Sequence, residues 1–185
     1  MYGIPGPGDR YNPAMIRDAA EGDLPGIFAV YDAEVLRGTA TFETVPRTPA
    51  ERLAWFCDHP RERYPVVVAE EGGEILGWAR LQPWSPRPAY ARTAEDSVYV
   101  RGDARGRGIG RALLSEILAR ARAAGIRVVL ARIADGNPAS LRLHRSAGFR
   151  SVGRMRRVGE KLGRILDVEL MDLHLDGGGA PGGPS

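Results

Sequence analysis

Short apolar runs and amphipathic segments alternate along the first half of the chain, which is typical of interleaved strands and helices. Apolar residues at helical spacing, among them Leu24, Ile27, Phe28 and Tyr31, give the first helix one buried face. The pattern predicts, in chain order, a strand at 15–19, a helix at about 24–37 with Asp23 as its N-cap, a helix at about 48–57, a β-hairpin at 64–84 turned at Gly72 and Gly73, and a short strand at 97–100.

The second half opens on RGRGIG at 105–110, directly followed by an amphipathic helix. RVVLARI at 127–133 predicts a buried strand, and a helix is predicted from Pro138, capped by Asn137 and ended by Gly148. Two long strands turned near 159–163 complete the pattern. The predicted buried face of the helix after RGRGIG consists of Ile109, Leu113, Leu114, Ile117, Leu118 and Ala121.

These elements predict an α/β (α+β) fold: a mixed, mostly antiparallel central sheet of about six to seven strands, flanked by about four helices. We expect one domain at 14–175, preceded by an irregular arm at 1–13 and followed by a disordered Gly/Pro tail at 176–185. The pattern shows neither an apolar run of membrane-spanning length nor an N-terminal signal segment, so a cytoplasmic location is expected.

The composition limits which ligands and sites are expected. The net charge is only +3, but basic residues concentrate at 101–164, so this segment should attract anions. The single cysteine, Cys57, forms no intrachain disulfide, which fits a reducing compartment. Three scattered histidines, His59, His144 and His174, supply no metal-ligand set, and no metal is expected.

The stretch 105–110 combines a preceding strand, a glycine-rich turn and a helix N-terminus, which together form an anion site. A phosphate-binding loop of the Walker type is excluded because no lysine precedes Lys161. The dinucleotide pattern GxGxxG fails because Arg111 stands where its third glycine belongs. The pattern [Q/R]xxGx[G/A] fits, with Arg105, Gly108 and Gly110.

With the strand SVYV before it and NPASLRLHRSAGF after it, this motif resembles the pyrophosphate loop of the GNAT superfamily of N-acetyltransferases, and the order of elements from 15 to 175 agrees. The resemblance implies the GNAT fold and acetyl-CoA as cofactor. The implied cofactor contacts are the backbone around Val98, Tyr99 and Val100, the turn formed by Arg105, Gly106, Arg107, Gly108, Ile109, Gly110 and Arg111, and then Asn137 and Ser140.

Four stretches, TATFETVP (39–46), ERYPVVVAE (62–70), PWSPRPAY (83–90) and TAEDSVYV (93–100), are most similar to the phosphinothricin and methionine sulfoximine acetyltransferases. This branch implies transfer of acetyl to the amine of a small amino-acid-like acceptor, and a homodimer with the acceptor site near the interface. Arg80 and Arg92 depart from the pattern of the branch.

Acetylation of an amine needs a base to remove a proton and donors to stabilise the developing oxyanion. The resemblance places Glu95 at the position of the base, acting directly or through water, with Asp96 as the alternative if the register slips by one. It places His144 where the departing thiolate is protonated, although a lone histidine on a helix also suits a structural role.

An amino-acid acceptor presents a carboxylate, which a fixed guanidinium binds in bidentate fashion. Arg87 is the first candidate for this guanidinium and Arg80 the second. The remaining walls of the acceptor site are expected to include Trp84 and Tyr90 on one side and Thr41 and Phe42 on the other.

Other function classes remain open. A nucleic-acid binder would also have a basic segment, but aromatic residues are not interleaved with the arginines here. A catalytically silent acyl-CoA-binding module would keep RGRGIG and lose the base. Acetylation of a peptide N-terminus, a polyamine or an aminoglycoside is the alternative among enzymes, although a polyamine site would be lined with acids rather than arginines.

Overall fold

The computed structural model describes residues 14–176. The arm predicted at 1–13 and all but the first residue of the tail predicted at 176–185 lie outside the described residues. The elements are β1 (Met15–Asp18), α1 (Leu24–Arg37), α2 (Pro49–Asp58), β2 (Val66–Glu71), β3 (Glu74–Pro83), β4 (Thr93–Val100), α3 (Ile109–Ala123), β5 (Val128–Ala134), α4 (Pro138–Ser146), β6 (Arg150–Lys161) and β7 (Arg164–His174), with short 3-10 turns at Glu21–Asp23, Pro88–Tyr90 and Gly102–Ala104.

The seven strands form one sheet in the order β1-β2-β3-β4-β5-β7-β6. Every neighbouring pair is antiparallel except β4 and β5, which are parallel. The mixed, mostly antiparallel sheet with four helices is the predicted architecture. Within residues 14–176, no helix has the length and apolar character needed to cross a membrane.

A hydrophobic core lies on each face of the sheet. On one face α3 buries all six of its predicted apolar positions against the strands, and α4 packs on the same side. On the other face α1 and α2 pack through Phe28 and Phe56 against Val66, Val68 and Trp78. The sheet between these two cores opens where β4 and β5 separate.

Two local details differ from the prediction. Asp23 occupies the predicted N-cap position of α1, but its carboxylate does not cap the helix, because it accepts from the Ala20 N–H at 2.7 Å and from the two terminal nitrogens of Arg17 at 2.6 and 2.8 Å. Strand β4 begins at Thr93, four residues before the predicted start. The polar residues Glu95 and Asp96 interrupt the apolar pattern that would indicate a strand here. Strand β3 nevertheless pairs with β4 from Ala94 to Val100.

Strands β4 and β5 pair only at their first three positions, from Thr93 opposite Val128 to Glu95 opposite Leu130. Beyond Glu95 the two strands diverge, while β4 stays paired with β3 and β5 with β7. The outer edge of β4 after Glu95 therefore has no strand beside it. This gap is the defining feature of the molecule, because it leaves backbone groups of a central strand available to a ligand.

Candidate active site

A cavity of about 670 Å³ occupies the gap between β4 and β5. Its walls come from both strands, from the loop after α1, from α4 and from the β6–β7 hairpin. Its lining includes the charged or titratable side chains of Arg80, Glu95, Asp96, Arg132 and His144.

Glu95 and Asp96 are neighbours in sequence but point to opposite faces of the sheet, because successive strand residues alternate. Asp96 is oriented toward α4, where it contacts His144, whereas Glu95 is oriented toward the α1 and α2 face. Both side chains are buried, with 6% and 5% of Glu95 and Asp96 exposed. The two carboxylates therefore serve different sides of the cavity and are not interchangeable.

On its face, Glu95 is held by two neighbours that sequence reasoning missed. Arg132 on β5 donates from Nε to Oε1 at 2.6 Å and from Nη2 to Oε2 at 2.8 Å. Gln82, the residue opposite Glu95 on β3, donates from Nε2 to Oε2 at 3.0 Å. The contact of Gln82 with Glu95 could have been predicted from the pairing register of β3 and β4. No local sequence pattern indicates that Arg132 contacts Glu95.

On the other face, His144 lies between two acceptors. Its Nδ1 is 2.8 Å from the carbonyl oxygen of Ser140, and its Nε2 is 3.0 Å from Oδ2 of Asp96. Ser140 Oγ is also 3.3 Å from Nδ1. A carbonyl oxygen and a carboxylate oxygen at the two ring nitrogens favour the doubly protonated, positively charged ring. Burial alone would lower the pKa of His144, but the hydrogen bond and charge of Asp96 outweigh it and raise the pKa above the ordinary 6.5.

Asp96→Asn tests this ion pair through stability. An imidazole with a raised pKa stabilises the fold fully below its ordinary pKa of 6.5, and this stabilisation is lost as the pH rises through the folded-state value. Asparagine can pair with a neutral imidazole, so the variant lacks the pH-dependent contribution of this ion pair to the free energy of unfolding. We expect the free energy of unfolding of the wild type, relative to the variant, to fall as the pH rises from about 6 to 9 in urea titrations. A difference independent of pH would contradict a charged ring.

The glycine turn before α3 has an open backbone. Gly106 and Gly108 have φ values of +80° and +82°, and a Cβ built on either would meet nothing within 4 Å. No side chain caps the helix at Gly108. Two flanking arginines brace the turn from outside, since Arg105 contacts Glu34 at 2.7 Å and Arg107 contacts Glu71 at 2.6 Å.

The other residues predicted for the cofactor fall into three groups. Ile109 is buried in the α3 core, so only its backbone faces the turn, whereas Arg111 is exposed. Asn137 caps α4, accepting from the N–H groups of Ala139 and Ser140 at 3.1 and 3.2 Å. Both Asn137 and Ser140 also line the cavity.

The edge of β4 offers backbone donors to the cavity. The N–H of Arg101, just after β4, donates to the carbonyl oxygen of Leu76 on the β3 side. Because N–H groups alternate along a strand, those of Val98 and Val100 face the opposite side, where β5 has diverged. The side chain of Tyr99 is directed away from α4 and stacks on Trp78.

The predicted acceptor-site residues are only partly brought together. Thr41, Phe42 and Arg80 line the cavity. Arg87 and Tyr90 lie outside its lining, exposed at the 3-10 turn after β3, and Trp84 contacts the cavity indirectly by packing on Arg132. Of the two arginines considered for an acidic group, the structure therefore brings Arg80 and not Arg87 to the cavity.

Arg80 has no carboxylate within ion-pair distance in the described part of the chain, although Glu95 is close enough to act on its charge. Its guanidinium lies 5.5 Å from the ring centroid of Trp55, and its buried Nε has no hydrogen-bond partner among residues 14–176. Burial lowers its pKa from the ordinary value, partly offset by the nearby Tyr99 and Tyr31. A buried guanidinium with an unsatisfied donor favours an anionic ligand.

Lys161 fixes the loop that carries Thr41 and Phe42. It is only 4% exposed, and its Nζ donates to the carbonyl oxygens of Glu34 and Thr41, each at 2.8 Å. Burial lowers its pKa from the ordinary value. The tip of the β6–β7 hairpin is thereby tied to the loop after α1, on the far side of the cavity from β4. Sequence reasoning missed this residue because its partners are backbone groups far away in the chain.

Comparison with known proteins decides the family. The model of the acetyltransferase (GNAT) family matches residues 11–149. The chain belongs to the acetyltransferase (GNAT) family. It is 47% identical over 164 residues to the L-methionine sulfoximine/L-methionine sulfone acetyltransferase of Pseudomonas aeruginosa, covering 88% of this chain and 95% of that one. It is 42% identical to the phosphinothricin N-acetyltransferase of Alcaligenes faecalis, covering 88% of this chain and 83% of the relative.

A solved structure agrees with the fold of this acetyltransferase. The phosphinothricin acetyltransferase of Sinorhizobium meliloti, in complex with acetyl-CoA, superposes with a TM-score of 0.84 at 41% identity and covers 88% of this chain and 89% of that one. Acetyl-CoA is the acetyl donor in this family, and the open turn at Gly106 and Gly108 with the uncapped N-terminus of α3 fits a pyrophosphate.

Proposed function

We propose that this acetyltransferase acetylates the α-amine of a small amino acid with a second polar group, of the methionine sulfoximine or phosphinothricin type. One observation carries the proposal: Arg80, whose buried Nε has no hydrogen-bond partner among residues 14–176, shares a cavity with the carboxylate of Glu95. An acceptor with a second polar group would give the Nε of Arg80 its missing partner and bring its amine to Glu95. The relatives named for methionine sulfoximine and phosphinothricin support the same acceptor class.

The two reactants enter from opposite faces of the sheet in this proposal. The turn before α3 holds the pyrophosphate on the α3 and α4 face, with Asn137 and Ser140 beside the pantetheine arm. The acceptor enters from the α1 and α2 face, between Arg80 on β3 and the loop with Thr41 and Phe42. The gap between β4 and β5 joins the two faces, so amine and acetyl group meet at the end of the β4–β5 pairing.

Glu95 is the base of the proposed reaction. It removes the proton from the acceptor's ammonium group, directly or through a water molecule, because only the neutral amine has a lone pair for attack. The N–H groups of Val98 and Val100 face the same gap and are placed to donate to the acetyl oxygen as negative charge develops there.

His144 lies on the α4 side of the cavity, where the departing thiolate is expected in this proposal. Its Nε2 is 3.0 Å from Oδ2 of Asp96, so protonation of the thiolate from Nε2 requires this bond to break. The positive charge of a protonated ring is balanced by Asp96, and the pair as a whole is neutral. The role of proton donor stays a prediction.

The rival functions lack comparable support in the structure. A polyamine would meet two arginines, Arg80 and Arg132, in the proposed acceptor site. The basic stretch at 101–107 is largely neutralised, because Arg101, Arg105 and Arg107 are paired with Glu74, Glu34 and Glu71. This pairing disfavours nucleic acid as the partner of this stretch.

We also propose that the protein is a homodimer, as the resemblance implied. Apolar residues are exposed on the β6–β7 hairpin, and two of them, Met155 and Val158, also line the cavity. A second copy covering this hairpin would close the acceptor side. Sedimentation velocity distinguishes one copy from two. The cytoplasmic location likewise stays a prediction.

The acceptor class is tested by steady-state release of CoA with methionine sulfoximine, phosphinothricin, spermidine and a short peptide as separate acceptors. We expect kcat/KM to be highest for one of the first two. In Arg80→Met we expect that value to fall by roughly 10- to 100-fold, because a charge-assisted pair contributes about 1.5–3 kcal/mol. Turnover with spermidine or peptide alone would reject the proposed acceptor while leaving the family assignment intact.

A further inference from the structure

Glu95 is not free in this structure. Both of its carboxylate oxygens accept from the guanidinium of Arg132, at 2.6 and 2.8 Å, in the bidentate geometry that makes such pairs strong. Gln82 occupies a further position on Oε2. To take a proton from an amine, the carboxylate has to lose at least part of this pairing.

Arg132 and Glu95 differ in how far their side chains are exposed. The side chain of Glu95 is 8% exposed, whereas that of Arg132 is 48% exposed. Arg132 projects from the diverging part of β5 into the cavity, and its guanidinium lies 5.7 Å from the ring centroid of Trp84. A half-exposed guanidinium resting on an aromatic ring can change partners without disturbing the core.

The chemistry of the acceptor provides the competing partner. In an α-amino acid, the amine and the carboxylate are attached to the same carbon. An amine that reaches Glu95 therefore brings its own carboxylate next to Arg132. Arg80, which projects from the same face of β3 two residues from Gln82, remains for the distal polar group of the acceptor.

We propose that Arg132 is an exchangeable counter-ion that inhibits Glu95 until an acceptor carboxylate takes over the guanidinium. Arg132 holds both oxygens of Glu95 in the free enzyme. The α-carboxylate of the acceptor then displaces Glu95 from Arg132, and the freed carboxylate accepts the ammonium proton of the same molecule. This inference rests on the proposed function and adds a mechanism for selecting α-amino acids.

The exchange predicts a specific form of selectivity. An amine without a carboxylate cannot compete for Arg132, so it meets a base that is still paired and reacts slowly even when it fits the cavity. Arg132 is therefore a positioning and specificity residue in this proposal. It differs from Arg80, which offers an unpaired binding group but does not contact the base.

The test compares two acceptors that differ only in the carboxylate: methionine sulfone and its decarboxylated form, 3-(methylsulfonyl)propylamine. The proteins are the wild type, Arg132→Gln, Arg132→Lys, and Arg127→Gln as a matched control. Arg127 lies just before β5, is exposed and pairs with Asp176, outside the cavity lining. The measurements are kcat and KM from CoA release, with unfolding curves to confirm that each variant is folded.

For Arg132→Gln we expect the KM for methionine sulfone to rise by roughly 10- to 100-fold, because a bidentate charged contact is lost. We expect kcat with the decarboxylated amine to rise above the wild-type value, on the order of tenfold, because the base is no longer paired. Arg132→Lys keeps the positive charge but loses the bidentate geometry, so its KM and kcat should lie between those of the wild type and of Arg132→Gln. Arg127→Gln should have the kinetic constants of the wild type.

If Arg132→Gln lowered kcat equally with both acceptors, Arg132 would only hold Glu95 in place, and the proposal would be overturned. A higher KM for methionine sulfone with no gain for the decarboxylated amine would also overturn it, because the base would not have been inhibited. Failure of the proposed function gives a distinguishable result, because the wild type would then acetylate neither acceptor. In that case the proposed exchange at Arg132 would also be rejected.

Discussion

Glu95→Gln lowers kcat with an amino-acid acceptor by roughly 10²- to 10⁴-fold, the usual range for loss of a general base. Glutamine keeps the size of the side chain and an oxygen that can accept from Arg132, but it cannot take a proton. Because Glu95 lies on the opposite face of the sheet from the turn before α3, the affinity for acetyl-CoA should remain within about twofold of the wild type. Pre-steady-state CoA release and calorimetric titration with acetyl-CoA measure the two quantities separately.

The matched control is Glu74→Gln. Glu74 is also a carboxylate on a strand paired with an arginine, Arg101, but it is exposed and lies outside the cavity between β4 and β5. We expect this variant to keep wild-type kcat. If Glu95→Gln retained full activity, the base would have to be another group or water alone, and the assignment of Glu95 would be wrong.

Gly108→Val weakens acetyl-CoA binding by roughly 10- to 100-fold. At φ +82° a valine is strained, at a cost of about 1–2 kcal/mol, and relaxing that strain turns the backbone N–H groups away from the pyrophosphate. Each charge-assisted hydrogen bond lost contributes about 1.5–3 kcal/mol. Equilibrium titration with acetyl-CoA measures the change in Kd, and thermal unfolding measures the strain.

Gly125→Val separates strain from loss of the binding turn. Gly125 also has a positive φ, +71°, with equally open space at its Cβ, but it follows α3 at the opposite end of that helix from Gly108. The control should therefore be destabilised to a similar degree and bind acetyl-CoA normally. Equal losses of affinity in both variants would mean that Gly108 acts through stability alone.

The periodicity of the sequence was sufficient for most of the fold. The apolar face of α3 and the hairpin turned at Gly72 and Gly73 follow from local patterns, and the structure has both as predicted. The start of β4 was missed because Glu95 and Asp96 interrupt the apolar run, although the strand is set by pairing with β3. Local pattern fails where a functional site places charges inside a strand.

The candidate site was predictable only where a motif is contiguous. RGRGIG is read directly from the chain, and the alternation of a strand distinguishes Glu95 from Asp96 once β4 is known to include both. The contacts of Arg132 with Glu95 and of Lys161 with Thr41 join residues 37 and 120 positions apart in the chain. Such contacts depend on how β5 diverges and where the β6–β7 hairpin folds back, which no local pattern contains. The same limit explains why Arg87, which lies outside the cavity lining, was preferred to Arg80 in the sequence-based prediction.

In the proposed function, this cavity transfers acetyl from acetyl-CoA to the α-amine of an amino acid. The most direct test incubates the wild-type protein with acetyl-CoA labelled in the acetyl group and methionine sulfone, then locates the label in the product by mass spectrometry and NMR. We expect one equivalent of CoA for each acetyl group found on the α-nitrogen. Tight binding of acetyl-CoA with no labelled product, from methionine sulfone or from methionine sulfoximine and phosphinothricin tested in the same way, would contradict it.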